Sequence, residues 1–191
     1  MKTSIKILIA IGTVLLVVLF WFFGTRNTLV SLKEDVEMQQ SQIETVLQRR
    51  SDLIPNLVET VKGYTNHEEE VFTEIAEARS KLAGSIESGD IESINKASSN
   101  LDSALGRLLA ISESYPELKA SEQFIALQDE LAGTENRISV ARQYYNEKVK
   151  TYNTTVQSFP TSIVASINGY YPIPYFEADE GATEVPKVSF D

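Results

Sequence analysis

Arg49-Arg50-Ser51-Asp52-Leu53-Ile54-Pro55-Asn56-Leu57-Val58, followed by Val61-Lys62-Gly63-Tyr64, is the stretch whose reading decides the fold. Here a greasy helical stripe runs through two arginines, an aspartate and a proline. From Leu29 the apolar positions recur every seven residues. One row reads Leu29, Val36, Ile43, Arg50, Leu57 and Tyr64, and its partner row reads Leu32, Gln39, Val46, Leu53 and Thr60. Leu47, Ile54 and Val61 widen the stripe to the breadth a bundle helix needs. Pro55 removes a backbone donor and crowds the carbonyl four residues back. The repeat keeps phase across it, which predicts a kink inside one helix and not a boundary. Gly63 supplies a stop.

Toward the C-terminus, Thr65-Asn66-His67-Glu68 reads as a capping box opening a second helix, with Glu69 and Glu70 matched to its dipole. That helix carries Phe72, Ile75, Arg79, Leu82 and Ile86 on one face, and a turn is expected from Gly84 to Gly89. A third helix repeats Ile91, Ile94, Ser98, Leu101, Leu105, Leu108, Ser112 and Tyr115 before Pro116 ends it. Its many Ser, Ala and Asn residues predict the most exposed helix of the four. Ser121 is expected to cap the fourth. Its row reads Phe124, Leu131, Ile138, Tyr145, Tyr152 and Phe159, flanked by Leu127, Ala141, Val149 and Val156 and stopped by Pro160.

The expected fold is all-α. It comprises an N-terminal transmembrane helix, an antiparallel up-down-up-down four-helix bundle and an aromatic, proline-rich tail. The parts fall at about 1–27, 28–159 and 160–191, with helices at about 28–62, 66–86, 90–113 and 121–158. Two of these helices are long, roughly 50–57 Å at 1.5 Å per residue, and two are shorter, roughly 30–35 Å. The shorter hairpin therefore covers only the membrane-distal part of the long pair. The first part of the tail, including Gly169-Tyr170-Tyr171-Pro172-Ile173-Pro174-Tyr175-Phe176, is expected to fold back at the membrane-proximal end. Glu177 to Asp191 is expected to be mobile.

The N-terminal segment is basic at Lys2 and Lys6, then uncharged from Ile7 to Phe23. Counted from Ile5, about 19 residues span roughly 29 Å, which matches a bilayer core. A cleaved signal peptide is the competing reading. The segment ends Phe20-Trp21-Phe22-Phe23-Gly24, an aromatic belt and not a small-residue cleavage site, which favours an uncleaved anchor. Lys2, Lys6 and the terminal amine precede the span, while Arg26 and Lys33 follow it beside Glu34, Asp35 and Glu37. This slight bias places the soluble part on the extracytoplasmic side.

The 191 residues carry a formal charge of −10 and no cysteine. An acidic chain argues against nucleic acid as a partner. Lack of cysteine excludes disulfides, thiolate nucleophiles and lipoprotein processing, and the one histidine excludes a multi-histidine metal site.

Arg49-Arg50-x-Asp52-Leu53-Ile54-Pro55-Asn56-Leu57-Val58-x-x-Val61-Lys62-Gly63-Tyr64-x-x-His67-Glu68 resembles the signature of the LemA family. So do Glu77-Ala78-Arg79, the run from Leu127-Gln128 through Glu130-Leu131, Gly133-Thr134-Glu135-Asn136-Arg137-Ile138 and Ala141-Arg142 to Tyr145-Asn146, and Tyr175-Phe176-Glu177-Ala178. The resemblance extends over nearly the whole chain. It implies a bacterial single-pass membrane protein with an antiparallel helical bundle, and it implies no defined biochemical activity.

Two constellations are candidates for function. Arg49, Arg50, Arg79 and Arg142, with Asp52, Glu68, Glu130 and Glu135 as acidic partners, form either a buried network that holds helix register or an anion pocket. Tyr144, Tyr145, Tyr152, Tyr170, Tyr171, Tyr175 and Phe176 concentrate aromatic surface near the membrane. They read either as core with interface anchoring or as a docking surface, with Tyr170, Tyr171, Tyr175 and Phe176 the candidate partner surface. His67 with Glu68, Glu69, Glu70 and Glu74 is a weak metal set, because consecutive acids fan around a helix. No catalytic residue, metal or cofactor is expected. The expected function is a membrane-anchored scaffold or adaptor for membrane or envelope proteins, with a small-anion sensor as the alternative.

Overall fold

A computed structural model of the chain describes residues 3–65 and 68–176. The expectations placed on Lys2, His67 and the tail Glu177–Asp191 lie outside the described residues. Those that are described form helices without strands: α1 (Thr3–Lys62), α2 (Glu69–Ser88), α3 (Ile91–Ser112), α4 (Pro116–Lys119), α5 (Glu122–Gln157) and α6 (Thr161–Ile167). By internal packing they divide into two units, Met1–Gln40 with Tyr145–Ile173, and Ser41–Tyr144 with Pro174–Asp191.

In the first unit the apolar segment and the start of the heptad region are one unbroken helix, with no linker between them. Residues Ile5 to Phe23 are largely exposed, as a lipid-facing span requires, whereas Leu29 and Val36 are buried. The facing stretch of α5 buries Tyr145, Val149 and Tyr152. Lys148 bonds Asp35 at 2.9 Å, and Lys33 lies in the field of Tyr152, so α1 and α5 run antiparallel here. The predicted row of α5 fails at its end. Phe159 is 82% exposed, because α5 stops at Gln157 and the residue leaves the phase of the helix. A short α6 follows, in a stretch expected to be tail.

In the second unit the α1 row continues through Ile43, Leu47, Arg50, Ile54, Leu57 and Val61, all buried. The helix passes through Pro55 without a break. It ends at Lys62 with Gly63 in the turn, as expected. The capping box does not form. Helix α2 starts at Glu69, Glu68 makes no side-chain cap, and the Thr65 hydroxyl instead donates to the Val61 carbonyl at 3.2 Å. Gly84 is not a turn residue either, since α2 runs on to Ser88. The left-handed conformation that ends it (φ 68°) falls on Gly89, whose N–H donates to the Ser85 and Ile86 carbonyls.

Asp90 caps α3 by accepting from the Ser93 N–H at 2.9 Å, and that hydrogen bond holds its carboxyl below the usual range. Far from being the most exposed helix, α3 buries Ile91, Ile94, Ala97, Ser98, Leu101, Ala104, Leu105, Leu108 and Ser112, while α2 buries Ile75, Ala78 and Leu82. Four of the small residues that make α3 look thin in the sequence, Ala97, Ser98, Ala104 and Ser112, are on its inner face, where they admit close packing. Pro116 does not only end α3; it opens the single turn α4.

Burial pushes the Tyr145 hydroxyl up from 10.0 to about 12. The native protein thus holds this proton after the unfolded chain has released it. Stability should be unaffected by Tyr145 below pH 10 and should fall as pH rises between about 10 and 12. Thermal melts of the full chain in detergent across that window, with Tyr145→Phe as reference, test this. The variant should lose less stability with pH than the parent.

Candidate functional site

Pro55 has no N–H, so the Ser51 carbonyl one turn earlier loses its helical donor. Ser51 is buried, out of reach of bulk water. Arg79 of α2 supplies the missing bond: its Nε donates to the Ser51 carbonyl at 3.0 Å. The proline of one motif and the arginine of another are therefore two halves of one arrangement. Arg79 meets a backbone carbonyl and not the carboxylate expected for it.

Arg50 occupies the heptad row itself and is 8% exposed. Its guanidinium reaches Glu135 of α5 at 2.6 Å and Asp102 of α3 at 2.7 Å. Arg49, one residue earlier and outside the row, pairs with Glu130 of α5. Arg142 of α5 donates to the Ser98 hydroxyl of α3 at 3.1 Å and lies over the Phe176 ring, 5.8 Å from its centre. Arg107 of α3 pairs with Glu74 of α2. These bonds join α1 to α2, α3 and α5, α5 to α3, and α3 to α2.

Of the predicted residues, Arg49, Arg50, Arg79, Glu130, Glu135 and Arg142 take part in these cross-helix contacts. Asp52 does not: it accepts from Gln48 within α1 at 2.9 Å and is exposed. Glu68 sits at the start of α2 without an ion pair to an arginine among the described residues. Asp102 joins the network unmarked by the sequence, and Ser51 and Ser98, which the sequence places in the Arg49–Val58 stretch and on the α3 row, join it without being marked as polar partners. Asp102, four residues after Ser98 and three before Leu105, lies at the edge of the buried stripe of α3, and only the position of α1 reveals its role.

The aromatic group divides as well. Phe176 is buried (4% exposed) beneath Arg142, which withdraws it from the candidate partner surface. Tyr170 is half-buried, whereas Tyr171 and Tyr175 are 69% and 45% exposed. Within the first unit, the buried side chain of Asn153 holds Ile173 from both sides, donating to its carbonyl and accepting from its N–H, each at 2.8 Å. A shallow depression of about 460 Å³ on the first unit is lined by Glu147, Lys150, Thr151, Thr154 and Thr155, none of them part of the arginine set. No group of three or more His, Cys, Asp or Glu that could hold a metal occurs among the described residues.

A family profile described as LemA family matches residues 39–190. The chain is 27% identical to Magnetosome protein MamQ of Magnetospirillum gryphiswaldense, over 98% of this chain and 78% of that one. It is 27% identical to Magnetosome protein MamQ 2 of Paramagnetospirillum magneticum, over 85% of this chain and 68% of the other. It is 28% identical to Protein LemA of Metamycoplasma hominis, over 84% and 73%.

If Arg79 compensates Pro55, the two positions must be coupled. Arg79→Met should cost roughly 1.5–3 kcal/mol, the range for a bond from a charged donor. In a Pro55→Ala background, where the alanine N–H restores the helical donor, the same change should cost clearly less. Urea titrations of the four proteins read the difference, and additivity would refute the coupling.

For Arg50 the exposure of its partners sets the magnitude. Glu135 is 46% exposed as a side chain and can return to water, while Asp102 is 24% exposed. Arg50→Ala should therefore cost less than the roughly 3–5 kcal/mol of a fully buried pair, but more than the ~1 kcal/mol of a surface one. Asp102→Asn should remove more of that cost than Glu135→Gln in double-mutant cycles.

Proposed function

The chain belongs to the LemA family, and on that premise we propose that it is a non-enzymatic, single-pass protein of the bacterial inner membrane whose helical part is a scaffold for other membrane or envelope proteins. The observation that carries this reading is how the arginines are used. Arg49 and Arg50 pair with carboxylates, Arg79 bonds a backbone carbonyl, and Arg142 bonds a hydroxyl and covers an aromatic ring. These four arginines are directed at other parts of the chain, three of them at neighbouring helices through carboxylates or a backbone carbonyl and Arg142 at Ser98 and Phe176. That disposition suits a rigid support. The same partners leave the anion-sensor alternative without support, and it is not carried further.

Tyr171 and Tyr175 are the exposed aromatic side chains left from the predicted partner surface. Exposed tyrosines combine apolar area with a hydrogen-bonding tip, the usual make-up of a protein contact site. The relatives at 27–28% identity carry names from different settings, a magnetosome and a mycoplasma. A support adapted to different partners accommodates that spread. The extracytoplasmic side is favoured for the helical part, because Lys2 and Lys6 both flank the span closely whereas after it only Arg26 does, Lys33 lying seven residues further along.

Intact cells treated with a membrane-impermeant crosslinker, followed by capture of the full-length protein, test both partner and side. A reproducible set of membrane or envelope proteins is expected. Yield should drop in the Tyr171→Ser and Tyr175→Ser variants while the helical content of each stays unchanged. Capture of no reproducible partner with either permeant or impermeant reagents would sink the scaffold reading.

A further inference from the structure

Helix α6 leaves an apolar face uncovered. Ile163 and Ile167, one turn apart on one side of the helix, are 51% and 69% exposed, and Phe159, in the turn that precedes α6, is 82% exposed. The opposite side, Val164 and Ala165, is buried. Tyr171, just beyond, is 69% exposed. Residues 158–176 contain no charged side chain at all, in a chain that is 23% charged. A solvent-facing helix in such a chain would be expected to carry charges on its outer side.

The position of α6 identifies what covers it. The Arg26 Nε donates to the Asn168 Oδ1 at 3.2 Å, which ties the C-terminal end of α6 to α1 three residues after the last residue of the apolar span. Phe22 and Thr25 are half-buried at the same level, although the span residues before them are open. Three residues of helix advance about 4.5 Å. The headgroup layer on each side of a bilayer core is roughly 5–7 Å deep. The end of α6 is thus held within that layer whenever α1 spans a membrane.

We infer that α6 is a second membrane contact, an interfacial helix that sinks Ile163 and Ile167, together with Phe159 in the turn before it, into the headgroup–acyl boundary beside the span, with Tyr171 at its edge. Uncharged helices of this kind enter by apolar burial, so the contact does not depend on anionic lipid. Tyrosine is enriched at that depth because its ring is apolar and its hydroxyl wet. The inference rests on α1 spanning a bilayer; it shares only Tyr171 with the scaffold reading, and Phe159, Ile163 and Ile167 carry it without that residue.

The chain contains no cysteine, so single labels can be placed cleanly. Full-length protein carrying Ile163→Cys or Ile167→Cys, labelled with a polarity-sensitive fluorophore, is reconstituted at one copy per phosphatidylcholine nanodisc. Leu15→Cys reports the span and Thr154→Cys an exposed site on α5. Labels at 163 and 167 should emit blue-shifted from the label at 154. They should be quenched by nitroxide-bearing lipid and resist aqueous iodide, with the label at 15 more protected still. With one copy per disc and the disc's belt protein confined to the rim, a second copy cannot protect these positions, and quenching by nitroxide-bearing lipid identifies lipid as what does. Labels at 163 and 167 that behave like 154, while 15 stays protected, would overturn the inference. Loss of protection at 15 as well would refute the spanning premise itself. As a second test, Ile163→Asp with Ile167→Asp should move a label at Phe159→Cys from lipid quenching to iodide quenching. Unchanged lipid quenching there would also refute it.

Discussion

A buried carbonyl deprived of its donor is the constraint on which the helices of the second unit depend. Pro55 creates it at Ser51, inside the longest helix of the protein and on its packed side. An interior proline costs about 3 kcal/mol in a helix, part of it the missing hydrogen bond. A buried acceptor left unmatched adds a penalty that cannot be relieved by solvent. Arg79 answers the unmatched acceptor from a different helix. The defect in α1 consequently becomes a point of attachment for α2, at a fixed height along α1.

Arg50 acts next to it by a different physical rule. A charge on a heptad row weakens the row as a hydrophobic seam, and the ion pairs it forms recover only part of the desolvation cost. Its value lies in discrimination between registers. Sliding α1 by one heptad moves Arg50 about 10 Å along the axis, out of reach of Asp102 and Glu135 alike. Leucine at that position would fit several registers about equally well. The exposed pairs, Arg49–Glu130 and Arg107–Glu74, add little by comparison, since water screens them and long side chains must be ordered to form them.

Much of this is legible in the residues. The seven-residue rows of α1 and α5 predict buried positions from Leu29 to Val61 and from Phe124 to Tyr152, because repeated burial on one helix face leaves a period that local sequence records. The family resemblance drawn from the motifs agrees with the LemA profile that matches residues 39–190. What escapes the sequence depends on the arrival of a distant chain. Asp102 and Asn153 look like ordinary polar surface residues until α1 and Ile173 are set beside them. The row of α5 extrapolates to Phe159 as a core residue, yet the helix ends two residues earlier. The capping box fails for a related reason: Thr65 finds a local acceptor in the last turn of α1 before α2 begins. Helix α3 misleads because small residues suggest exposure, when at a tight contact they are what allows approach.

The unbroken course of α1 from the apolar span into Leu29 and Val36 carries an angular consequence. Successive residues of a helix are offset by about 100° around its axis. With no hinge between Phe23 and Leu29, the lipid-facing sides of Trp21 and Phe23 are therefore keyed in azimuth to the buried face that carries Leu29 and Val36. Inserting one residue there would rotate one surface against the other by that same angle, with both remaining helical. The span is thereby more than a tether. It is a shaft with a fixed phase, and twisting it in the membrane would turn the packed face by the same amount.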